Sequence, residues 1–379
     1  MSGHTVGMDH VPLAQALAAR LRSQGTPEHI ARLFAQVPRH RFLPDTVWGE
    51  DRTRYDRAAD PAEWMRVAYT DQALTTQRDD GAPGGMGVPT SSSSAPSVMA
   101  RMLAAAGIES AHRVLEIGTG TGYNAALLSQ LLGSGSVATV EIDPELAGAA
   151  RAALSAAGFH PDVRTGDGER TGGLPSYDRL IATCTVSEVP AAWLRHMRGR
   201  GRIVTPWAPT PGLPGGVLAV LDATRNHAQG RFEGGLSFMW ARGQRRPGRS
   251  APGPEAVADS TEQVPGDPRE PWLDGERALL LSLLMPGWSY GLRMGEDATD
   301  PCVWLASTTC SSWARLHADG RVEQGGTRAL FEEADRAWRI WEGWNRPAVS
   351  DFGLTVDPDR QTQTVWVHGP RHSLWSVRG

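Results

Sequence analysis

Apolar residues recur at four-residue spacing between Pro12 and Ser23, at Leu13, Leu17 and Leu21, which predicts a helix with one buried stripe. Thr26-Pro27 then predicts a second helix, a capping residue followed by proline at the first helical position. That helix ends near Val37-Pro38-Arg39-His40-Arg41-Phe42-Leu43-Pro44. From Asp79 to Ser97 the periodicity disappears into glycine, proline and serine, a composition that predicts a mobile loop. Beyond it, short apolar runs alternate with stretches of helical period. Strands are predicted at 113–117, 137–142, 161–165, 178–183 and 201–206, and helices at 97–106, 123–132, 144–157 and 190–197. Pro144 suits a first helical position, and Gly133 and Gly158 suit helix ends. Two more apolar runs, Val217 to Leu221 and Leu236 to Trp240, predict a hairpin that completes the sheet. Strand–helix alternation of this kind predicts an α/β, doubly wound parallel sheet.

Residues 243–271 are rich in Pro, Gly, Arg and Asp and read as a linker. Hydrophobic pattern returns in 272–379, with a helix predicted at 274–285, strands at 303–308 and 312–317, and a helix at 327–344. A hairpin pairing Gly353–Val356 with Thr364–His368 turns through Asp357-Pro358-Asp359. The organisation is therefore a helical segment (1–78), a loop (79–97), an α/β core (98–242), a linker (243–271) and a small α+β domain (272–379). Nine of the 14 tryptophans fall in that last domain. Two readings stand for them: packing, or the lining of a peptide groove.

Composition narrows the function classes. With 379 residues the chain has room for two domains, and a net charge of −4 without a basic run gives no nucleic-acid footprint. Cys184, Cys302 and Cys310 form no CxxC pair, so neither a disulfide framework nor a metal site is expected. Neither an apolar signal core nor a run of about 18 apolar residues occurs, so the expectation is a cytoplasmic protein without a membrane span.

The candidate chemistry lies at Val114-Leu115-Glu116-Ile117-Gly118-Thr119-Gly120-Thr121-Gly122, followed by Val140-Glu141-Ile142-Asp143. A buried strand, a glycine-rich turn, a helix start and a second strand ending in acid make a nucleotide-type site at the carboxyl end of a parallel sheet. A dinucleotide fingerprint would read Gly-x-Gly-x-x-Gly. The alternating Gly-x-Gly-x-Gly after Glu116 is the variant expected for S-adenosyl-L-methionine. Gly118, Thr119, Gly120, Thr121 and Gly122 are expected to wrap its methionine and ribose parts, and Glu141 to accept from the ribose hydroxyls. Asp167 of Gly166-Asp167-Gly168 is expected at the adenine amino group, with an Asx turn as its alternative. Glu116 is expected either at the cofactor's amino group or as the residue that fixes the loop.

Several segments occur in the order seen in protein-L-isoaspartate O-methyltransferases. These are the Val37–Pro44 run, Ser94-Ala95-Pro96-Ser97-Val98-Met99-Ala100, the glycine turn, Gly166-Asp167-Gly168, Tyr177-Asp178-Arg179-Leu180-Ile181-Ala182-Thr183 and Gly201-Arg202-Ile203-Val204-Thr205-Pro206. The resemblance covers about 30–242. It implies a class I, Rossmann-like methyltransferase that uses S-adenosyl-L-methionine to esterify an aspartyl-type carboxylate in a polypeptide. It also implies Ser94 as the residue orienting that carboxylate, with Tyr69 and Thr183 as further substrate-binding candidates. This chain departs from the family in two places: the path from Tyr69-Thr70-Asp71 to Ser94 is lengthened by Asp79 to Thr90, and Ser93 stands where the family has isoleucine. The family's repair enzymes are expected to end near residue 242, so the extension is expected to select a substrate. Its Leu330-Phe331-Glu332-Glu333-Ala334 helix, with Trp338 and Trp341, and its Phe352-Gly353-Leu354-Thr355-Val356 strand resemble the extension of methyltransferases that accompany ATP-grasp peptide maturases and lanthipeptide synthetases. That resemblance implies a ribosomally made, macrocyclised peptide whose aspartate becomes a methyl ester and then a succinimide or isoaspartate. General repair of isoaspartyl proteins is the alternative.

Such a reaction asks for little acid–base chemistry. A carboxylate of ordinary pKa, about 4, is already ionised at neutral pH. What remains is alignment of one oxygen with the methyl carbon in a site that excludes water. No metal and no catalytic triad are expected.

Overall fold

The stripe predicted near the N-terminus is buried in the helix α1 (Val11–Ser23) through Leu17 and Leu21, joined by Ala14 and Ala18. The computed structural model describes residues 9–210, 213, 215–245, 253, 256–293 and 301–378. These fall into two units, the first taking residues through Cys184 with Pro190–Val204 and Asp222–Asn226, the second the remainder.

In the first unit, α1 is followed by α2 (Glu28–Gln36), whose Ile30, Leu33 and Phe34 are buried. Short strands β1 (Thr46–Trp48) and β2 (Arg54–Asp56), the helix α3 (Pro61–Ala68), and strands β3 (Leu74–Arg78) and β4 (Pro89–Ser93) come next. The four strands form an antiparallel sheet in the order β2-β1-β3-β4. Residues 1–78 thus hold strands as well as helices. The stretch read as a mobile loop is largely a hairpin, with Leu74 opposite Ser93 and Thr75 opposite Ser92. Serine carries no hydrophobic signal, yet Ser91 and Ser93 are both buried. At the hairpin tip the Asp79 carboxylate accepts from the Gly87 N–H (2.7 Å) and the Val88 N–H (2.9 Å), so the turn is organised by its own hydrogen bonds.

The alternating segment then follows: α4 (Pro96–Ala106), β5 (Val114–Ile117), α5 (Tyr123–Leu132), β6 (Val137–Glu141), α6 (Pro144–Ala156), β7 (Asp162–Thr165), β8 (Tyr177–Ala182), α7 (Ala191–Arg195) and β9 (Met197–Trp207). The strands run parallel in the order β7-β6-β5-β8-β9. Every residue of β5 and β6 is buried, as expected of central strands covered on both faces. Asp143 caps α6, accepting from the N–H groups of Glu145 (2.9 Å) and Leu146 (3.2 Å) ahead of the first-turn Pro144.

The second unit contains two sheets. Strands β10 (Gly216–Ala223) and β11 (Ala228–Leu236) precede β12 (Ser260–Gln263), α8 (Glu270–Leu273), α9 (Gly275–Leu284), β13 (Trp288–Arg293), β14 (Cys302–Ser307), β15 (Trp313–Leu316), β16 (Arg321–Gly325), α10 (Leu330–Gly343), β17 (Phe352–Asp357), β18 (Thr362–Val367) and β19 (Ser373–Arg378). One sheet runs β10-β11-β17-β18-β19 and the other β12-β16-β15-β14-β13, the latter antiparallel throughout. The hairpin partner of β10 is β11, which ends at Leu236; the rest of the predicted run, Ser237–Trp240, instead meets Thr185 through the carbonyls of Phe238 and Met239 and an isolated bridge at Trp240. Only Ala228 and Phe232 of β11 are buried, and a Cβ on Gly230 would meet the Val220 carbonyl, so close backbone approach replaces the apolar pattern of an ordinary strand. Within the predicted linker, residues 260–263 form β12 and residues 270–271 begin α8, while residues 246–252 and 254–255 lie outside the described set. Of the nine tryptophans Trp272 and Trp288 are packing: they stack at 5.2 Å in a core with Leu281, Val303, Leu305 and Leu330.

Candidate functional site

The glycine turn grows out of β5. The Gly118 N–H donates to the Val140 carbonyl (2.8 Å), and Gly118, Gly120 and Gly122 adopt φ of +91°, +52° and +83°, a region that strains any side chain. Space adds a second requirement at two of them. A Cβ at Gly118 would lie 2.6 Å from Thr183 Oγ1, and one at Gly122 would lie 3.2 Å from Leu154 Cγ on α6. The Thr183 hydroxyl stands 2.6 Å from the Gly118 carbonyl and 3.2 Å from that of Ile117. Thr183, expected at the substrate, is thus tied to the turn itself.

Beneath the turn lies a buried polar network. Glu116 is fully buried and accepts from Asn124 Nδ2 (2.7 Å) and Thr139 Oγ1 (2.6 Å); Thr139 Oγ1 in turn lies 2.6 Å from Thr119 Oγ1. Burial pushes its carboxyl up to about 7. Of the two expectations for Glu116, the geometry carries the loop-fixing one, because both oxygens are engaged inside the protein. Thr121 Oγ1 accepts from the Tyr123 N–H (3.4 Å) where α5 begins.

Two carboxylates stand at the carboxyl end of the sheet. Glu141 Oε2 accepts from the Gly120 N–H (2.8 Å) and Oε1 from the Asp143 N–H (3.1 Å), which aims the group at the open side of the turn with lone pairs left for further donors. The Gly166 N–H donates to the Glu141 carbonyl (2.8 Å) and so brings Gly166-Asp167-Gly168 alongside. Gly168 is required by packing, since a Cβ there would lie 2.5 Å from Ile117 Cγ2. Asp167 Oδ1 accepts from the Glu169 N–H (2.9 Å) in an Asx turn, and Oδ2 lies 3.5 Å from Arg170 Nε. The side chain stays 37% exposed and open to a donor. Ile142, next to Glu141 in sequence, is exposed, an apolar surface suited to a purine face. Turn, Glu141, Ile142 and Asp167 fit the parts of S-adenosyl-L-methionine.

The serine strand lies against the same turn. Ser92 O and Ser91 Oγ stand 3.6 and 3.7 Å from where a Gly120 Cβ would be, and Gln77 Nε2 of β3 donates to Asp143 Oδ2 (3.0 Å). Ser94 follows directly, half-buried, with its hydroxyl unpaired among the described residues. Its backbone is held by Arg39, a buried cation that also bonds Ala68, Thr70, Gln72 and Ser93. Tyr69 is buried, and its hydroxyl meets His40 Nδ1 at 2.7 Å. Burial and the neighbouring His10 hold His40 down at about 4, so the ring that Tyr69 meets is neutral at pH 7. The Tyr69 hydroxyl is therefore committed inside the protein. Arg39, Gln77, Ser91 and Ile142 were not picked out from the sequence. Arg39 and Ile142 had a local signal, standing inside the Val37–Pro44 and Val140–Asp143 motifs.

Residues 13–212 match the family model for protein-L-isoaspartate(D-aspartate) O-methyltransferase. The protein-L-isoaspartate O-methyltransferase of Ignicoccus hospitalis is 34% identical over 190 residues, covering 49% of this chain and 76% of that one. The enzyme of that name from Thermotoga maritima is 32% identical over 191 residues, covering 49% of this chain and 52% of its own length. A solved protein-L-isoaspartate O-methyltransferase shares the fold at a TM-score of 0.53 with 20% identity, over 91% of this chain and 96% of that one. Its coverage extends past residue 242, so a C-terminal extension does not by itself set this chain apart from proteins of that name. Among the described residues no helix is long and apolar enough to cross a membrane.

Proposed function

The chain belongs to the protein-L-isoaspartate(D-aspartate) O-methyltransferase family and uses S-adenosyl-L-methionine, and from that premise we propose that it methylates the free carboxylate of isoaspartyl residues in polypeptides. The observation that carries the reading is the junction of the serine strand with the glycine turn: Ser91 and Ser92 border Gly120, and the unpaired Ser94 hydroxyl follows at the strand's end. When bound, S-adenosyl-L-methionine supplies an electrophilic methyl on a cationic sulfur. The protein's residues do the rest. Glu141 and the backbone of 118–122 hold the donor, with Asp167 and Ile142 beside them. The Ser94 hydroxyl donates to one oxygen of the substrate carboxylate and leaves the other free to attack in line. No proton has to move, since the nucleophile is already an anion and the leaving group a neutral thioether. The β3–β4 hairpin, latched by Gln77 to Asp143, shields the reacting groups from water.

A second reading has its own support. The lengthened hairpin from Asp79 to Thr90, the paired rings of Trp338 and Trp341 on α10, and the partly exposed Trp344 that follows that helix suit a dedicated peptide whose ordinary aspartate is esterified and closes to a succinimide. Three substrates separate the readings: one peptide sequence carrying isoaspartate, the same sequence carrying aspartate, and a macrocyclised form of the latter. Transfer of a labelled methyl as a base-labile ester to the isoaspartyl peptide alone supports repair. Transfer to the cyclised aspartyl peptide alone replaces it with the second reading, and no transfer to any of them overturns both.

A further inference from the structure

We propose that Arg39 is a positioning residue for methyl transfer: it clamps together the two backbone segments that carry the substrate-side groups and so fixes where the Ser94 hydroxyl stands. The inference rests on the reading of Ser94 as the residue that orients the substrate carboxylate.

The guanidinium is fully buried and makes a complete set of bonds. Nε donates to Ser93 Oγ (3.1 Å). Nη1 donates to the carbonyls of Ala68 (3.3 Å) and Thr70 (3.0 Å). Nη2 reaches those of Gln72 (3.0 Å), Ser93 (3.0 Å) and Ser94 (3.1 Å). Every acceptor is a carbonyl or a hydroxyl; none is a carboxylate. A buried cation without a bonded counter-ion is costly, and a purely structural tie between two loops could use neutral groups. What arginine adds is shape, a rigid planar fork whose five N–H groups point in fixed directions. Here the fork spans residues that lie 29 to 33 positions away on one side and 54 to 55 on the other.

Both clamped segments lead to the proposed substrate side. Ser93 ends β4 and Ser94 opens the path into α4, while Ala68 to Gln72 contains Tyr69, Thr70 and Asp71. The segments are also tied to each other, because Asp71 Oδ1 accepts from the Ser97 N–H (2.8 Å) in the first turn of α4. Ser94 therefore cannot shift without breaking bonds at Arg39. Burial lowers the guanidinium to about 10, with Asp71 among the groups that offset it, so it stays protonated at neutral pH.

Lysine keeps the charge but offers three donors from one nitrogen and cannot bridge both segments. The test is a cycle of Arg39→Lys, Ser94→Ala and the double variant, read on whichever peptide the parent protein methylates. A misplacement of this kind lowers kcat by about 10²-fold in Arg39→Lys, with the dissociation constant for S-adenosyl-L-methionine unchanged. In the Ser94→Ala background the same change costs less than about threefold, since Arg39 then has nothing left to place. Losses that multiply independently overturn the proposal. Ser93→Ala, which removes only the hydroxyl on Nε, serves if Arg39→Lys does not fold; it is expected to show the same coupling at smaller size, and independent losses there also overturn the proposal. Parent protein inactive on every peptide would refute the substrate reading and leave the clamp to be judged by hydrogen exchange. Faster exchange of the 93–97 amides in Arg39→Lys or Ser93→Ala is the expected result, and unchanged exchange overturns the clamp.

Discussion

Gly118→Ala is the perturbation whose effect can be worked most fully from the geometry. At φ +91° an alanine is forced into the left-handed half of conformational space, at roughly 1–2 kcal/mol. Its methyl would lie 2.6 Å from Thr183 Oγ1, so the hydroxyl must rotate away. That removes its contacts with the carbonyls of Gly118 and Ile117, a net loss of about 0.5–1.5 kcal/mol. The sum is roughly 1.5–3.5 kcal/mol, large against the usual margin of a folded domain. Denaturant unfolding of Gly118→Ala beside the parent measures it directly. Thr183→Ala removes the same two contacts outright, so it should cost nothing further in the Gly118→Ala background, and the double variant is expected close to Gly118→Ala. A Gly118→Ala protein within about 0.5 kcal/mol of the parent, the scale of an ordinary surface substitution, would refute the reasoning.

Other outcomes follow from the same site. The Glu116 carboxyl is raised by burial from an ordinary 4.5 to about 7, so the folded chain holds a proton that the unfolded chain has lost across that window. Stability should fall as pH rises from about 4.5 to 7 and level off above it. Glu116→Gln should flatten that slope and be accepted sterically, because the unpaired Asn124 Oδ1 can turn to accept from the new amide; equal slopes in the two proteins would contradict this. Glu141→Gln removes a charged acceptor worth about 1.5–3 kcal/mol and should raise the calorimetric Kd for S-adenosyl-L-methionine by about 10- to 100-fold, with an unchanged Kd counting against the ribose role. Trp288→Ala in the second unit empties a fully buried site stacked on Trp272 and should lower unfolding free energy by about 3–5 kcal/mol; a loss below 1 kcal/mol, far outside the range for burying an aromatic, would show that the core there is not close-packed.

Where side-chain pattern and fold agree, the sequence was readable. Val114–Ile117 and Val137–Glu141 announce buried parallel strands because short runs of mostly apolar, β-branched residues precede helix starts, and the alternating glycines announce the turn. Reading failed where stability comes from something other than apolar periodicity. The β4 serines bury hydroxyls on Arg39 and Thr76, which hydropathy scores as loop. Strand β11 packs through glycine at closely spaced backbones, and β12 is exposed along its length, so neither leaves a pattern. Site residues show the same division. Glycines and strand-end acids are dictated by backbone geometry and are placed as expected. The directions of Glu116, Thr183 and Tyr69 depend on partners distant in sequence, at Thr139, Ile117 and His40, and no local window contains them.

The most direct test of the account follows one isoaspartyl peptide by mass spectrometry with the parent protein and S-adenosyl-L-methionine. Methoxide leaves an acyl carbon far more readily than carboxylate oxygen does, so the next backbone nitrogen can displace it. The account predicts a gain of one methyl on the isoaspartyl carboxylate, followed by loss of methanol to the succinimide, with both steps absent in Glu141→Gln at limiting cofactor. An isoaspartyl peptide that stays unmodified while the protein demonstrably binds S-adenosyl-L-methionine would contradict it.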